Sequence, residues 1–196
     1  MSGERQDPII VVPYDDGWPV SFAHERDRVE AALGDLLVGR VEHIGSTSVP
    51  GLAAKPIVDM SAVIGSYDQG AGVARALAAI DWVAAPEPGD VAQRKWSFCY
   101  PDTAWRTHHL HVWEAADPTW PGLLRFRDHL REHPAVAAEY ARIKSDLAAT
   151  DDRDRPKYRA GKAPFIEHVL RLTAEQDDIA LSHDRAGGGA KPERTE

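Results

Sequence analysis

Residues 42–61, EHIGSTSVPGLAAKPIVDMS, constrain the fold more than any other stretch. They join two apolar segments through a Gly-Ser turn and set an isolated carboxylate, Asp59, inside the second segment. A strand's period of two over VDMSAVI places Val58, Met60, Ala62 and Ile64 on one face and Asp59 with Ser61 on the other. One face is built for burial, and the other carries a charge. Gly45 and Ser46, followed by Thr47 and Ser48, can offer backbone N–H groups and hydroxyls to an anion, and Lys55 adds a mobile positive charge. A carboxylate beside a phosphate site commonly holds a hard divalent cation such as Mg²⁺. The same residues also fit a tight Gly/Pro turn between two core strands, with Asp59 at a strand end. The pattern alone leaves both readings open.

A second chemical cluster lies in RTHHLHVW, residues 106–113, which holds three of the nine histidines. In a strand, Thr107, His109, His111 and Trp113 share one face, while His108, Leu110 and Val112 share the other. An i, i+2 histidine pair can bind a metal, contact phosphate as imidazolium, or be hydrogen-bonded in a partly buried site. No HExxH or Cys/His spacing accompanies the pair. If the strands bearing Asp59 and His109/His111 are neighbours with the same face exposed, one cleft holds a carboxylate and two imidazoles.

The rest of the chain supplies a scaffold for these strands. PIIVVPYD is a short β-rich entry that Pro8 and Pro13 confine to an edge or terminal strand. Phe22, Val29, Leu33, Leu36 and Leu37 recur at helical spacing between Trp18 and Leu37. GAGVARALAAI predicts a further helix, APEPGD a mobile loop, and RKWSFCY another strand. From Trp120 the pattern turns helical, with Val136, Tyr140, Ile143 and Leu147 on one stripe and Phe165, Ile166, Val169 and Leu170 on another. The expectation is one α/β domain over 1–174, with a disordered polar tail over 175–196. One cysteine, Cys99, excludes an internal disulfide. No apolar run approaches the roughly 20 residues that span a bilayer, and no signal peptide pattern opens the chain. A cytoplasmic protein without membrane contact is expected. The net charge of −8 argues against bulk nucleic acid binding and favours a small-molecule or nucleotide ligand. The oligomeric state is not legible.

HIGSTSVPGLAAKPIVDM, YDDGWP, HHLHV, FRDHLREHP, EYARIKSDLA and GKAPFIEHVL occur in that order over roughly residues 9–172. Together they resemble the GrpB family, whose fold is similar to that of the nucleotidyltransferase superfamily; some such proteins are fused to a dephospho-CoA kinase. The resemblance implies a nucleotidyltransferase-like mixed β-sheet flanked by helices, with a helical C-terminal half. It maps Gly45 and Ser46 onto the phosphate-holding Gly-Ser motif and Asp59 onto the first carboxylate of an Asp-x-Asp/Glu pair. Ser61 stands where the second carboxylate belongs, and His109 or His111 where a third acidic residue is usual. Arg127 and Lys162 are further candidates for contacting the ligand from helix starts. The implied activity is metal-dependent transfer of a nucleotidyl group from an NTP to a small-molecule acceptor. Asp59, His109 and His111 would be both catalytic and metal-binding, with Mg²⁺ or, given the imidazoles, Mn²⁺ as the cation. The alternative is a non-catalytic nucleotide or phosphometabolite binding or accessory protein linked to coenzyme A metabolism.

Overall fold

A computed structural model describes the backbone of residues 8–187 and the side chains of residues 8–175. Five strands, β1 (Glu42–Ile44), β2 (Val58–Ile64), β3 (Val83–Ala84), β4 (Lys95–Tyr100) and β5 (His108–Glu114), form a mixed sheet in the order β1-β2-β5-β4-β3. β2 and β5 run parallel and the other neighbours antiparallel. The inner strands β2, β4 and β5 are rich in β-branched and aromatic residues, which suit a pleated, packed surface.

Helices α1 (Gly17–Leu33) and α2 (Gly70–Ala78) cover one face of the sheet. Met60, Phe98, Leu110 and Val112 meet Trp18, Val29, Leu33, Val73, Leu77 and Trp82 there, all at most 6% exposed. Burying each large apolar side chain stabilises the fold by about 1.5–3 kcal/mol. The apolar spacing predicts a helix reaching Leu37, but α1 stops at Gly34, whose φ of 50° lies in a region glycine adopts readily. Leu36 and Leu37 pack on the same core from the 3₁₀ turn that follows.

The C-terminal half is helical, as the sequence implies, with α3 (Trp120–Glu132), α4 (Pro134–Thr150) and α5 (Arg155–Gly187). These helices pack on one another and on the segment after β1, through Val49, Leu52, Leu130, Ala137, Tyr140, Phe126, Phe165 and Ile166. They stand against the second face of the sheet. The PIIVVPYD entry is extended and is held at two places: Val12 N donates to Ala54 O at 2.8 Å and Ala54 N to Val12 O at 3.0 Å, while Ile9 N donates to Asp152 O at 2.8 Å. The flanking prolines, which cannot donate, confine it. The Pro/Gly loop expected to be mobile is tied down by an ion pair of Asp90 with Lys95 at 2.8 Å and by Glu87 N donating to Asp90 Oδ2 at 2.9 Å. Of the tail expected over 175–196, the backbone is helical to Gly187; its side chains beyond Glu175, and residues 188–196 altogether, lie outside the described residues. No helix among the described residues is long and apolar enough to cross a membrane.

Candidate functional site

The parallel pairing of β2 with β5 aligns Asp59 with His109 and Ser61 with His111. Directly paired residues project to the same side of a sheet, so the carboxylate and both imidazoles meet on the face opposite the α1/α2 core. Ligand atoms of Asp59, His109 and His111 lie within 4.8 Å of one another. His109 stands between two carboxylates, its Nδ1 3.5 Å from Asp59 Oδ1 and its Nε2 3.7 Å from Glu87 Oε1. The His109 and His111 rings are 4.2 Å apart. Burial, reinforced by the neighbouring His109 and Lys95, drives the His111 pKa well below its ordinary value. His111 is therefore neutral at pH 7, with a lone pair to give. Its buried Nδ1 has no hydrogen-bond partner among the described residues, which suits a group that ligates something further.

The Gly-Ser turn approaches this cluster from β1. Gly45 has φ 68°, and a Cβ there would stand 2.6 Å from Asp59 Oδ2. Only glycine lets the backbone lie so close to the carboxylate. Ser46 and Thr47 line the cavity, while Gly45 and Ser48 shape the turn behind them. The Ser48 hydroxyl donates to Gly45 O at 2.6 Å, and Thr47 Oγ1 pairs with His43 Nε2 at 3.0 Å. These two hydroxyls hold the turn's shape. Ser46 reaches the Tyr140 hydroxyl on α4.

A cavity of about 200 Å³ separates this sheet face from α4 and α5. Asp59, Glu87, His109 and His111 line one side, and Lys55, Lys144, Arg155, Arg159 and Lys162 bring five basic groups to it. Lys144 is 2% exposed, with its Nζ donating to Ala53 O at 2.5 Å and lying 4.7 Å from the Tyr140 ring centroid. Burial, with the charges of Lys162 and Lys55 beside it, lowers its pKa to about 7. Burial also lowers Lys162, whose Nζ lies 4.6 Å from the Tyr158 ring centroid. The Tyr158 hydroxyl is pushed up to about 12 by burial and the charge of Asp59. Basic groups outnumber acidic ones, so the cavity attracts anions.

Of the residues named from sequence, Ser46, Thr47, Lys55, Asp59, His109, His111 and Lys162 line this one cavity. Arg127 is elsewhere. Its Nη1 donates to Glu42 Oε2 at 2.8 Å and to His43 O at 3.0 Å, and its Nε to Asp128 Oδ1 at 2.7 Å. It braces α3 against β1. Glu42 shares the site face through its pairing with Ser61, but Arg127 holds its carboxylate. Sequence reasoning missed Lys144, Glu87, Arg155, Arg159, Tyr140 and Tyr158. Lys144 carried one readable signal: it lies one helical turn beyond Tyr140, and the buried stripe of α4 is Ala137, Tyr140 and Lys144.

Comparison with known proteins gives a consistent result. The family model described as GrpB protein matches residues 8–172. UPF0157 protein YqkA of Bacillus subtilis (strain 168) is 33% identical over 169 residues, covering 86% of this chain and 47% of YqkA. The chain thus spans about half the length of that relative. The crystal structure of conserved protein GrpB from Enterococcus faecalis superposes with a TM-score of 0.75 at 29% identity, covering 85% of this chain and 98% of the other. A protein of Mycolicibacterium paratuberculosis (strain ATCC BAA-968 / K-10) named dephospho-CoA kinase is 27% identical over 84% of this chain and 46% of its own length.

Proposed function

The chain belongs to the GrpB family, and on that premise we propose that it is a metal-dependent enzyme transferring a nucleotidyl group from a nucleoside triphosphate to a small-molecule acceptor. The observation that carries this reading is the β2/β5 register, which sets Asp59, His109 and His111 together across a cavity from a basic wall. The clustered ligand atoms and the unpartnered His111 Nδ1 fit a divalent cation. One carboxylate and two imidazoles suit Mn²⁺ or Zn²⁺ better than Mg²⁺. When bound, such an ion neutralises phosphate oxygens and polarises phosphorus for attack. The chain's own residues do the remainder. Glu87 faces the far side of His109 and orients that ring as a carboxylate behind a histidine ligand does. The acceptor hydroxyl releases its proton to solvent and its oxygen bonds to the α-phosphorus as the bond to the bridging oxygen breaks and pyrophosphate leaves. Lys55, Arg155, Arg159 and Lys162 carry the charge of the departing pyrophosphate.

A second reading, a phosphometabolite-binding module without turnover, is favoured by Ser61. It is 3% exposed and paired with His111, at the position where two-metal transferases need another carboxylate. The similarity to a protein named dephospho-CoA kinase directs that reading toward coenzyme A intermediates. The test is pyrophosphate release from each NTP with Mn²⁺, Zn²⁺ or Mg²⁺ and a panel of acceptors, in the wild type and in Asp59→Ala. Release that is lost in the variant supports transfer; full turnover by the variant rejects it. Tight binding with no turnover across the panel supports the module instead.

A further inference from the structure

We propose that Lys55, Lys144 and Lys162 form a seat for one tetrahedral oxyanion, a phosphate monoester or the terminal phosphate of a nucleotide, that fills without any metal ion. The inference deepens the reading of the cavity as a phosphate site, because it states which end of the ligand points away from the sheet. It does not require nucleotidyl transfer.

Three lysines from three parts of the chain converge on two buried tyrosines. Lys144 of α4 lies 4.7 Å from the Tyr140 centroid, while Lys162 of α5 and Lys55 of the loop before β2 lie 4.6 and 5.6 Å from the Tyr158 centroid. Tyr140 is itself fixed by parallel stacking on Phe165, with centroids 5.0 Å apart. The aromatic faces position the ammonium groups and offset part of their lost hydration. A lysine that is 2% exposed is ordinarily neutralised by a carboxylate, yet Lys144 donates to a neutral carbonyl, Ala53 O. Glu87 accepts from Arg159 Nη2 at 3.1 Å, and Asp59, 3.5 Å from His109 Nδ1, spreads its single charge over that ring, Lys144 and Lys162. In the Gly-Ser turn, the Thr47 and Ser48 hydroxyls are committed to His43 and Gly45. The lysines, with Arg155 and Arg159 beside them, then supply the positive charge that meets an oxyanion inside the cavity. Burial first, and then repulsion by Lys162 and Lys55, lowers the pKa of Lys144; a dianion between the lysines offsets the repulsive part. A ligand seated this way puts its terminal phosphate under α4 and α5 and its reacting phosphorus beside Asp59.

The experiment is calorimetric titration of the full chain, freed of metal with EDTA, with inorganic phosphate, using the wild type, Lys144→Met and Asp59→Asn. The wild type binds, Lys144→Met binds about tenfold or more weakly, and Asp59→Asn binds at least as tightly because a repelling charge is gone. Wild-type affinity in Lys144→Met, or wild-type binding only when metal is present, overturns the seat. If Lys144→Met gives no cooperative melt, Lys162→Met, on the more accessible wall, takes its place with the same expectation. Displacement of bound phosphate by ATP or by glucose 6-phosphate tells a nucleotide's terminal phosphate from a sugar monoester, and displacement by neither overturns the seat. Metal-free phosphate binding with no NTP turnover sustains the seat while rejecting transfer; turnover with no metal-free binding does the reverse.

Discussion

The two faces of the sheet differ by a single residue step along the same strands. On one side Met60 and Leu110 are fully buried against α1 and α2. One position earlier on each strand, Asp59 and His109 turn to a cavity lined by lysines and arginines. The pleat separates stability from chemistry within one strand: an apolar face offers dispersion and dehydration, and a polar face offers lone pairs and charge. A substitution should therefore damage one property and spare the other, according to the parity of its position.

The largest effect is expected on the dry face. Leu110→Ala should destabilise the fold by about 2–5 kcal/mol, read as a lower urea midpoint, while the protein that remains folded keeps its phosphate affinity. An equal loss of affinity in the folded fraction would break the separation. Gly45→Ala probes where the two properties meet. Its backbone lies at φ 68°, ψ −171°, and the new Cβ collides with Asp59. It should cost on the order of 1–3 kcal/mol and also weaken Mn²⁺ binding in calorimetry. Asp59→Ala belongs wholly to the polar face. Mn²⁺ affinity should fall by at least about tenfold, since even groups behind a ligand contribute that much, with the melting temperature nearly unchanged.

The smallest effect per pH unit comes from Lys144, which is faced by Lys55, by Lys162 of α5, by Asp59 of β2 and by the Tyr140 ring. Its pKa falls from 10.5 in the unfolded chain to about 7 in the fold. The cost of burying the ammonium is fully present below about 7 and fades as pH rises toward 10.5, so stability gains with pH over that window. Lys144→Met should flatten this gain in denaturation curves collected from pH 7 to 10. Anion binding has the opposite sign, because the seat needs the charged amine. Sulfate, which carries no proton at pH 8, should bind with proton uptake, seen as a heat that changes with the ionisation enthalpy of the buffer.

The alternation of VDMSAVI and THHLHVW was legible because a strand's period of two is dictated by backbone geometry. It put Asp59, His109 and His111 on polar faces before their neighbours were known. That β2 and β5 pair, some 50 residues apart in the chain, was only a condition, since a pairing depends on the whole sheet order. Lys144 and Arg159 reach the cavity through the docking of α4 and α5, which local periodicity cannot report. Arg127 shows the converse error: it reads as a ligand contact from a helix start, yet Glu42 and Asp128 engage it within the fold. Strand β3, two exposed residues long, had no apolar pattern to find.

The most direct test of the central claim is calorimetric titration of the wild type and Asp59→Ala with ATP, each with Mn²⁺ and with EDTA. Mn²⁺ is expected to tighten ATP binding to the wild type, and Asp59→Ala to lose this gain while keeping the metal-free component. Equal tightening by Mn²⁺ in both proteins would contradict it.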